Sequence, residues 1–302
     1  MAEFVHIGRK KIGSGLPVFV VAEIGINHNG NLENAVQLIR EIAAAGFDAV
    51  KFQKRTPSVC VPHEQRNVMR QTPWGRISYF DYRKRVEFSR EEYKRIDEVC
   101  KTHGLLWFAS CWDIPSVDFM EEFDAPCYKI ASACLTDDEL LIHIRKKNRP
   151  VILSTGMSTM DEIYHAVSLL DQDSLILAHT TSSYPCAVNE LNINMIKTLQ
   201  KEFTCPVGYS GHEKDILMSS VAVGAGAVLI ERHVTLDCSM WGSDQSASLA
   251  SEDFKTLVSD IRMVEEGLGD GIKTVYETEQ ASIEKLRLCK KNETELSLKH
   301  PA

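Results

Sequence analysis

The 302-residue sequence predicts a single-domain (β/α)8 TIM barrel with long βα loops after strands two and eight. Three observations carry that prediction. Eight short β-branched or apolar runs occur, each followed by a stretch of helical character, which is the pattern of repeated βα units about a parallel sheet. Eight such units fit the roughly 250 residues of a closed barrel. No Gly-x-Gly-x-x-Gly opens a helix after a strand, because Gly224-Ala225-Gly226 precedes the eighth run and lacks a third glycine. No phosphate loop ending in Gly-Lys-Ser/Thr occurs either, so a dinucleotide or nucleotide fold loses ground.

Taken in order, the first strand spans 18–22 and its helix 32–45, opened by Asn31 and closed by Gly46. The second strand is 49–52; its helix, 90–103, starts with the capping-box pair Ser89 and Glu92. Strands at 105–109, 127–130, 151–153, 175–178, 206–209 and 227–230 follow. Their helices lie at 115–123, 137–146, 160–170, 192–201, 214–224 and 251–267. The connections 54–88 and 233–249 exceed the 2–6 residues usual for βα loops. Both follow a strand's C-terminal end, the rim where barrel enzymes build active sites, so both are candidate lids or specificity loops. The barrel is expected to occupy 1–268, leaving 269–302 as a tail, partly helical or disordered.

Composition excludes other classes. Hydrophobic residues make up 44% and charged residues 25%, which is ordinary for a folded globular chain. Thirty-four Lys and Arg against 42 Asp and Glu leave a net charge of −8, and no basic stretch could track a nucleic-acid backbone. No apolar run approaches the roughly 20 residues of a membrane span, and 1–15 lacks the apolar core of a signal peptide. The nine cysteines form no C-x-x-C pair, so they read as reduced fillers of a cytoplasmic protein. The Asn292-Glu293-Thr294 sequon carries no weight without a secretory signal.

Function is read from the side chains at the strand ends. In order these are Glu23 and Asn27; Lys51 and Gln53; Ser110 and Cys111; Lys129 and Ser132; Ser154 and Thr155; His179, Thr180 and Thr181; Ser210 and His212; Glu231 and His233. Desolvating so many polar groups is costly unless partners or a ligand meet them. Two lysines aimed at a shared centre repel each other unless an anion lies between them, and hydroxyls of Ser132, Ser154 and Ser210 would complete a shell of donors. A phosphate-bearing substrate satisfies that arrangement; pairing of the lysines with local carboxylates such as Glu23 is the other reading. His212 and His233 leave neighbouring strands and could converge on one divalent cation. His28 could line the rim and His179 could support it from behind.

The segments Ala22 to Gly30, Val50-Lys51-Phe52-Gln53, Tyr128 to Ser132, Ile152 to Met157, Ser183-Tyr184-Pro185, Gly208 to His212 and Glu231-Arg232-His233 then stand together. In these segments and their order the sequence resembles the sialic acid synthase family. That resemblance implies condensation of phosphoenolpyruvate with an N-acylated amino sugar to give a 2-keto-3-deoxy nonulosonic acid and phosphate. It implies that Lys51, Lys129, Ser132, Ser154 and Ser210 hold phosphoenolpyruvate and that His212 and His233 ligate Mn2+ or Mg2+. Glu23 then matches a catalytic acid, with Lys51 beside it, while Gln53, Tyr184 and Asp244 contact the sugar. A cytoplasmic homodimer acting on small molecules is the accompanying expectation.

The sequence also departs from the family. Many members carry an acid where Cys134 stands, and Asp137 or Asp138 is a candidate substitute. Cys111 and Ser182 replace a threonine and an asparagine near the phosphate. The tail is expected to be too short for the family's antifreeze-like domain, whose arginine reaches the partner subunit's site; Arg66, Arg70 and Arg76 of the 54–88 loop are candidates to close over the substrate instead. Competing readings are a metal-dependent barrel aldolase or lyase with another acceptor, and a non-catalytic barrel subunit.

Overall fold

The computed structural model describes residues 4–288, and in it eight parallel strands close into a barrel. The barrel strands are Phe19–Gly25, Ala49–Lys54, Leu106–Cys111, Tyr128–Ile130, Val151–Ser154, Leu175–Thr180, Val207–Gly211 and Leu229–His233. Each pairs with its sequence neighbours, and the eighth returns to the first with Leu229 opposite Phe19 and His233 opposite Glu23. Most strands run one to three residues past their expected ends. An apolar pattern stops at a polar residue, whereas backbone pairing continues through Glu23, Gln53, Ser154, Thr180, Ser210 and Glu231 because the neighbouring strand supplies the ladder partners.

The two-residue period of a strand sorts side chains between two cores. Val20, Ala22, Val50, Phe52, Trp107, Tyr128, Leu153, Leu177, Tyr209 and Ile230 join the layer between sheet and helices. Phe19, Val21, Ala49, Phe108, Cys127, Ile152, Ile176, Ala178 and Leu229 fill the barrel interior. Moving two residues further along each inward row reaches Glu23, Lys51, Ser110, Lys129, Ser154, Thr180 and Glu231, so the polar rim is the top layer of the barrel's own filling. At the opposite end an antiparallel hairpin, Phe4–Ile7 with Lys10–Gly13, adds Val5, Ile7 and Ile12 to the interior cluster. This hairpin is not among the strands expected from the sequence, because its runs are only four residues long.

The first helix, Leu32–Ala45, has its expected bounds: Asn31 accepts from the N–H groups of Glu33 and Asn34, and Gly46 takes the left-handed cap at φ 89°. The capping box of Ser89 and Glu92 is present. The 54–88 connection is not bare loop. It carries the short helix Pro57–Cys60, the hairpin Met69–Thr72 with Gly75–Ser78, and the helix Tyr79–Arg85. Its Tyr82 packs edge-on against Trp241 of the other long loop at 5.1 Å, joining the two loops.

The chain divides into two compact units, the first ending at Gly267. In the second, the described residues form a 3-10 turn, Glu277–Glu279, and the helix Gln280–Leu286. Cys289, the Asn292 sequon and His300 lie outside the described residues. Among the described residues no helix is long and apolar enough to cross a membrane.

Candidate active site

The strand tops enclose a cavity of about 170 Å3. Of the residues predicted to form the site, Glu23, Lys51, Gln53, Lys129, Ser132, Ser154, Tyr184, Ser210, His212 and His233 all line it. Asp244 does not; it stands behind His233 with its carboxylate 4.0 Å from Nδ1.

Both lysines are buried and turn toward the same carboxylate. Lys51 Nζ lies 2.9 Å from Glu23 and 3.5 Å from Glu231, and Lys129 Nζ lies 4.0 Å from the same Glu231 oxygen. The reading in which Lys51 pairs with Glu23 is therefore correct for the protein alone, and the anion between the two lysines is Glu231. Sequence reasoning placed Glu231 at the rim without giving it a role; the alternation that aims Leu229 inward aims Glu231 inward as well. Ser210 donates to Glu231 at 2.9 Å.

Burial and charge compete on these groups. Desolvation raises the Glu231 pKa, but Lys129 and Lys51 outweigh it and hold the carboxylate at about 2. For Lys51, burial favours the neutral amine, yet Glu23 and Glu231 push its pKa above the ordinary lysine value. Lys129 has the weaker support: burial dominates and brings it down to about 8, with Glu231 opposing.

Hydroxyls surround Lys129. Its ammonium donates to Ser154 at 2.7 Å, and Thr180 donates to the same oxygen at 3.3 Å. Ser132 accepts the Gly156 N–H at 3.1 Å, which leaves its own O–H free to donate into the cavity. Ser182 Oγ is buried without a partner. Gly156 makes this crowding feasible, since a Cβ there would lie 2.3 Å from Ser182 Oγ and 2.8 Å from Ser132 Oγ.

The imidazoles of His212 and His233 sit 5.3 Å apart, centroid to centroid. His212 Nδ1 donates to the Thr181 carbonyl at 2.7 Å, which fixes the tautomer that presents Nε2 as a lone pair. Burial, and then the neighbouring His233, bring the His212 pKa down to about 3, so the ring is neutral as a metal ligand must be. His233 Nδ1 is buried with no hydrogen-bond partner. Two imidazoles suit a divalent ion that completes its shell with substrate and water oxygens. No third metal-ligating side chain converges with them among the described residues.

Several expected contributors are elsewhere. His28 stacks on Phe88 at 4.0 Å and accepts from the Gly30 N–H, away from the cavity, and burial brings its pKa down to about 3. His179 and Cys111 fall on outward positions of their strands: His179 bonds the Leu191 carbonyl at 2.7 Å, and Cys111 packs in the outer core. The inward neighbours, Thr180 and Ser110, line the cavity instead. Cys134 packs against that core too. Asp137 caps its helix by accepting from Leu140 N–H and Asp138 pairs with His165, so neither replaces the missing acid. Arg66 donates to Ser58 and Val61 carbonyls, Arg70 lies over Tyr79 at 4.1 Å and Arg76 is exposed; none reaches the cavity. Arg55 does not line it either but touches two residues that do, donating to Gln53 at 2.9 Å and stacking on Trp112 at 3.5 Å.

A family model described as the NeuB family matches residues 38–273. The chain belongs to the NeuB family. Members of this family are sialic acid synthase-type enzymes, transferases that use phosphoenolpyruvate and are generally metal-dependent. The chain is 36% identical over 281 residues to human N-acetylneuraminate-9-phosphate synthase, covering 91% of this chain and 78% of that protein. It is 35% identical over 281 residues to N,N'-diacetyllegionaminic acid synthase of Legionella pneumophila, covering 90% and 79%. The crystal structure of N-acetylneuraminic acid synthetase from Leptospira borgpetersenii in complex with citrate is similar in fold, with TM-score 0.84 and 31% identity over 94% of this chain and 96% of that one. The NeuB-family chain thus combines a TIM barrel with a rim of buried lysines, hydroxyls and paired imidazoles.

Proposed function

We propose that this enzyme joins phosphoenolpyruvate to the aldehyde of an N-acylated amino sugar, giving a nonulosonic acid and inorganic phosphate. The observation that carries the reading is the buried pair Lys51 and Lys129, set in a shell of hydroxyls beside two imidazoles in one cavity. In this reading Lys129, Ser132, Ser154 and Ser210 grip the phosphate and carboxylate, and Lys51 bridges them to Glu23. Ser132 and Ser182 offer hydroxyl hydrogens that no described residue takes.

The methylene carbon of phosphoenolpyruvate attacks the aldehyde carbon, and positive charge develops at the enol carbon. Water adds there, and the tetrahedral species loses phosphate by C–O cleavage. The Glu23 and Glu231 carboxylates lie where they can stabilise the developing cation, and Glu23 is the group for proton transfer at the sugar end. Gln53 and Tyr184 orient the sugar, and Asp244, outside the cavity lining, acts on that end through His233. His212 and His233 would hold Mn2+ or Mg2+, which supplies Lewis-acid polarisation of the aldehyde when bound. The proposal includes a cytoplasmic homodimer, checked by sedimentation of the purified chain.

The test is release of inorganic phosphate and keto acid from phosphoenolpyruvate with Mn2+ and a panel of amino sugars. Release that needs one class of sugar and is lost in Lys51→Ala supports the reading. Binding of phosphoenolpyruvate with no release from any acceptor overturns it.

A further inference from the structure

Strand alternation puts a charge where the helix-facing layer is otherwise apolar. In the last strand, Leu229–His233, Glu231 and His233 turn into the barrel mouth, so Arg232 between them faces the helices, in one row with Ile230 and Val234. Arg232 has no solvent exposure, and neither has Glu213, the residue after His212. The Arg232 Nη1 stands 3.0 Å from a Glu213 carboxylate oxygen. Apolar side chains of similar size serve stability as well as such a pair does, so stability alone does not account for two buried ions here.

What the guanidinium adds is span. Nη1 donates to the Asp215 carbonyl and to Ser219 Oγ, each at 2.9 Å, and Nη2 donates to the Glu213 carbonyl. It therefore ties the turn between His212 and the helix Leu217–Gly224 to the strand position next to His233. On its other side His212 is held through its own carbonyl, which accepts the Cys186 N–H at 3.0 Å, and through the bond from its ring to Thr181. Glu213 is fixed in turn by the Tyr209 hydroxyl, which donates to it at 2.8 Å. Gly211, opposite Arg232 in the sheet, makes room for that contact, since a Cβ there would lie 2.5 Å from Glu213 Oε2 and 2.7 Å from the Tyr209 ring. His233 has no such bond at Nδ1, so its backbone is what places it.

We propose that Arg232 and Glu213 are positioning residues for the imidazole pair, the buried guanidinium being the strut that keeps His212 and His233 at the spacing a divalent ion needs. The inference rests on the reading of those two histidines as the metal-holding pair. Ligating groups work only when held to within about 0.5 Å, and the planar fork of an arginine reaches several acceptors at once where the single ammonium of a lysine cannot.

The experiment uses the full chain and three measurements: the Kd for Mn2+ by equilibrium dialysis, the Kd for phosphoenolpyruvate without metal, and the urea midpoint. The double variant Arg232→Met with Glu213→Leu removes both charges and the strut. Its Kd for Mn2+ should rise about 10- to 100-fold, while the Kd for phosphoenolpyruvate moves by less than about twofold and the urea midpoint is not lowered. Arg232→Lys keeps the charge against Glu213 but not the span, so it should keep the midpoint and still lose Mn2+ affinity. Should the double variant fail to fold, Arg232→Lys decides by the same two dissociation constants.

Unchanged Mn2+ affinity in a folded variant overturns the inference, because the pair is then structural only. Equal weakening of Mn2+ and phosphoenolpyruvate overturns it too, because the barrel mouth has then loosened as a whole. A wild-type chain that takes up no Mn2+ fails the metal reading itself and the strut with it, a result distinct from wild-type uptake that the variants share.

Discussion

Raising the pH through about 8 should switch off capture of phosphoenolpyruvate, because Lys129 loses its proton there. Burial favours the neutral amine, and Glu231, 4.0 Å away, only partly restores the ammonium. The fall from 10.5 to about 8 corresponds to roughly 3 kcal/mol of preference for the uncharged form. Between those values the unfolded chain binds more protons than the folded one, so stability rises with pH across that window and is lost as pH falls through about 8.

Anion binding runs the other way, since only the ammonium grips phosphate. A charge-assisted hydrogen bond is worth about 1.5–3 kcal/mol, so its loss should cost roughly 10- to 150-fold in kcat/KM. The assay is initial phosphate release at low phosphoenolpyruvate and saturating sugar, over about pH 6.5 to 10, where kcat/KM reports groups of the free enzyme. The profile should be flat below about 8 and fall about tenfold per pH unit above it until the loss is complete. Lys129→Arg should remove this limb, because a guanidinium stays charged. Glu231→Gln should move it to lower pH by withdrawing the charge that supports the ammonium. A limb that stays at the same pH in Lys129→Arg would refute the assignment.

Four further outcomes are expected. Gly156→Ala should raise KM for phosphoenolpyruvate about tenfold with the fold retained by circular dichroism, because its Cβ displaces the Ser182 and Ser132 hydroxyls; an unchanged KM would remove both from the site. His212→Ala should lower the Mn2+ bound per chain in equilibrium dialysis as well as phosphate release, and undiminished Mn2+ binding would dissociate the imidazole pair from the metal. Cys134→Glu, by placing a carboxylate within electrostatic reach of Arg55, should change sugar KM more than phosphoenolpyruvate KM; equal changes in both would count against that placement. Arg83→Met should stabilise the ligand-free chain by about 1–3 kcal/mol in urea unfolding, because it removes a buried cation without partners, and a comparable loss of stability would mean that the cation is paired in the protein.

The barrel and its polar rim were legible in the amino-acid order because both follow from short-range rules. Helical and extended periods alternate eight times, and in a closed parallel barrel every strand must end at the same rim. Lys51, Lys129, Ser154, Ser210, His212 and His233 follow from those rules alone. The same rules assign His179 and Cys111 to the rim because they count distance along the strand and not which face each residue takes. One-residue parity puts Thr180 and Ser110 inside in their place, a signal that was present in the sequence but is decided only once the register is known. The two hairpins and the helices inside the first long loop were not legible because runs of four to seven residues have too few positions to display a period.

The sequence by itself determined which residue types gather at the barrel mouth, since local periodicity and the handedness of βα units leave them nowhere else to go. Only the tertiary structure decided how their charges are balanced. Glu231 stands between two lysines from other strands, Glu23 faces Lys51, and the Arg83 Nε and Nη2 are left without a hydrogen-bond partner among the described residues. Those pairings join residues as much as 180 positions apart, and the energy of each depends on separation and burial in space, neither of which is written in linear order.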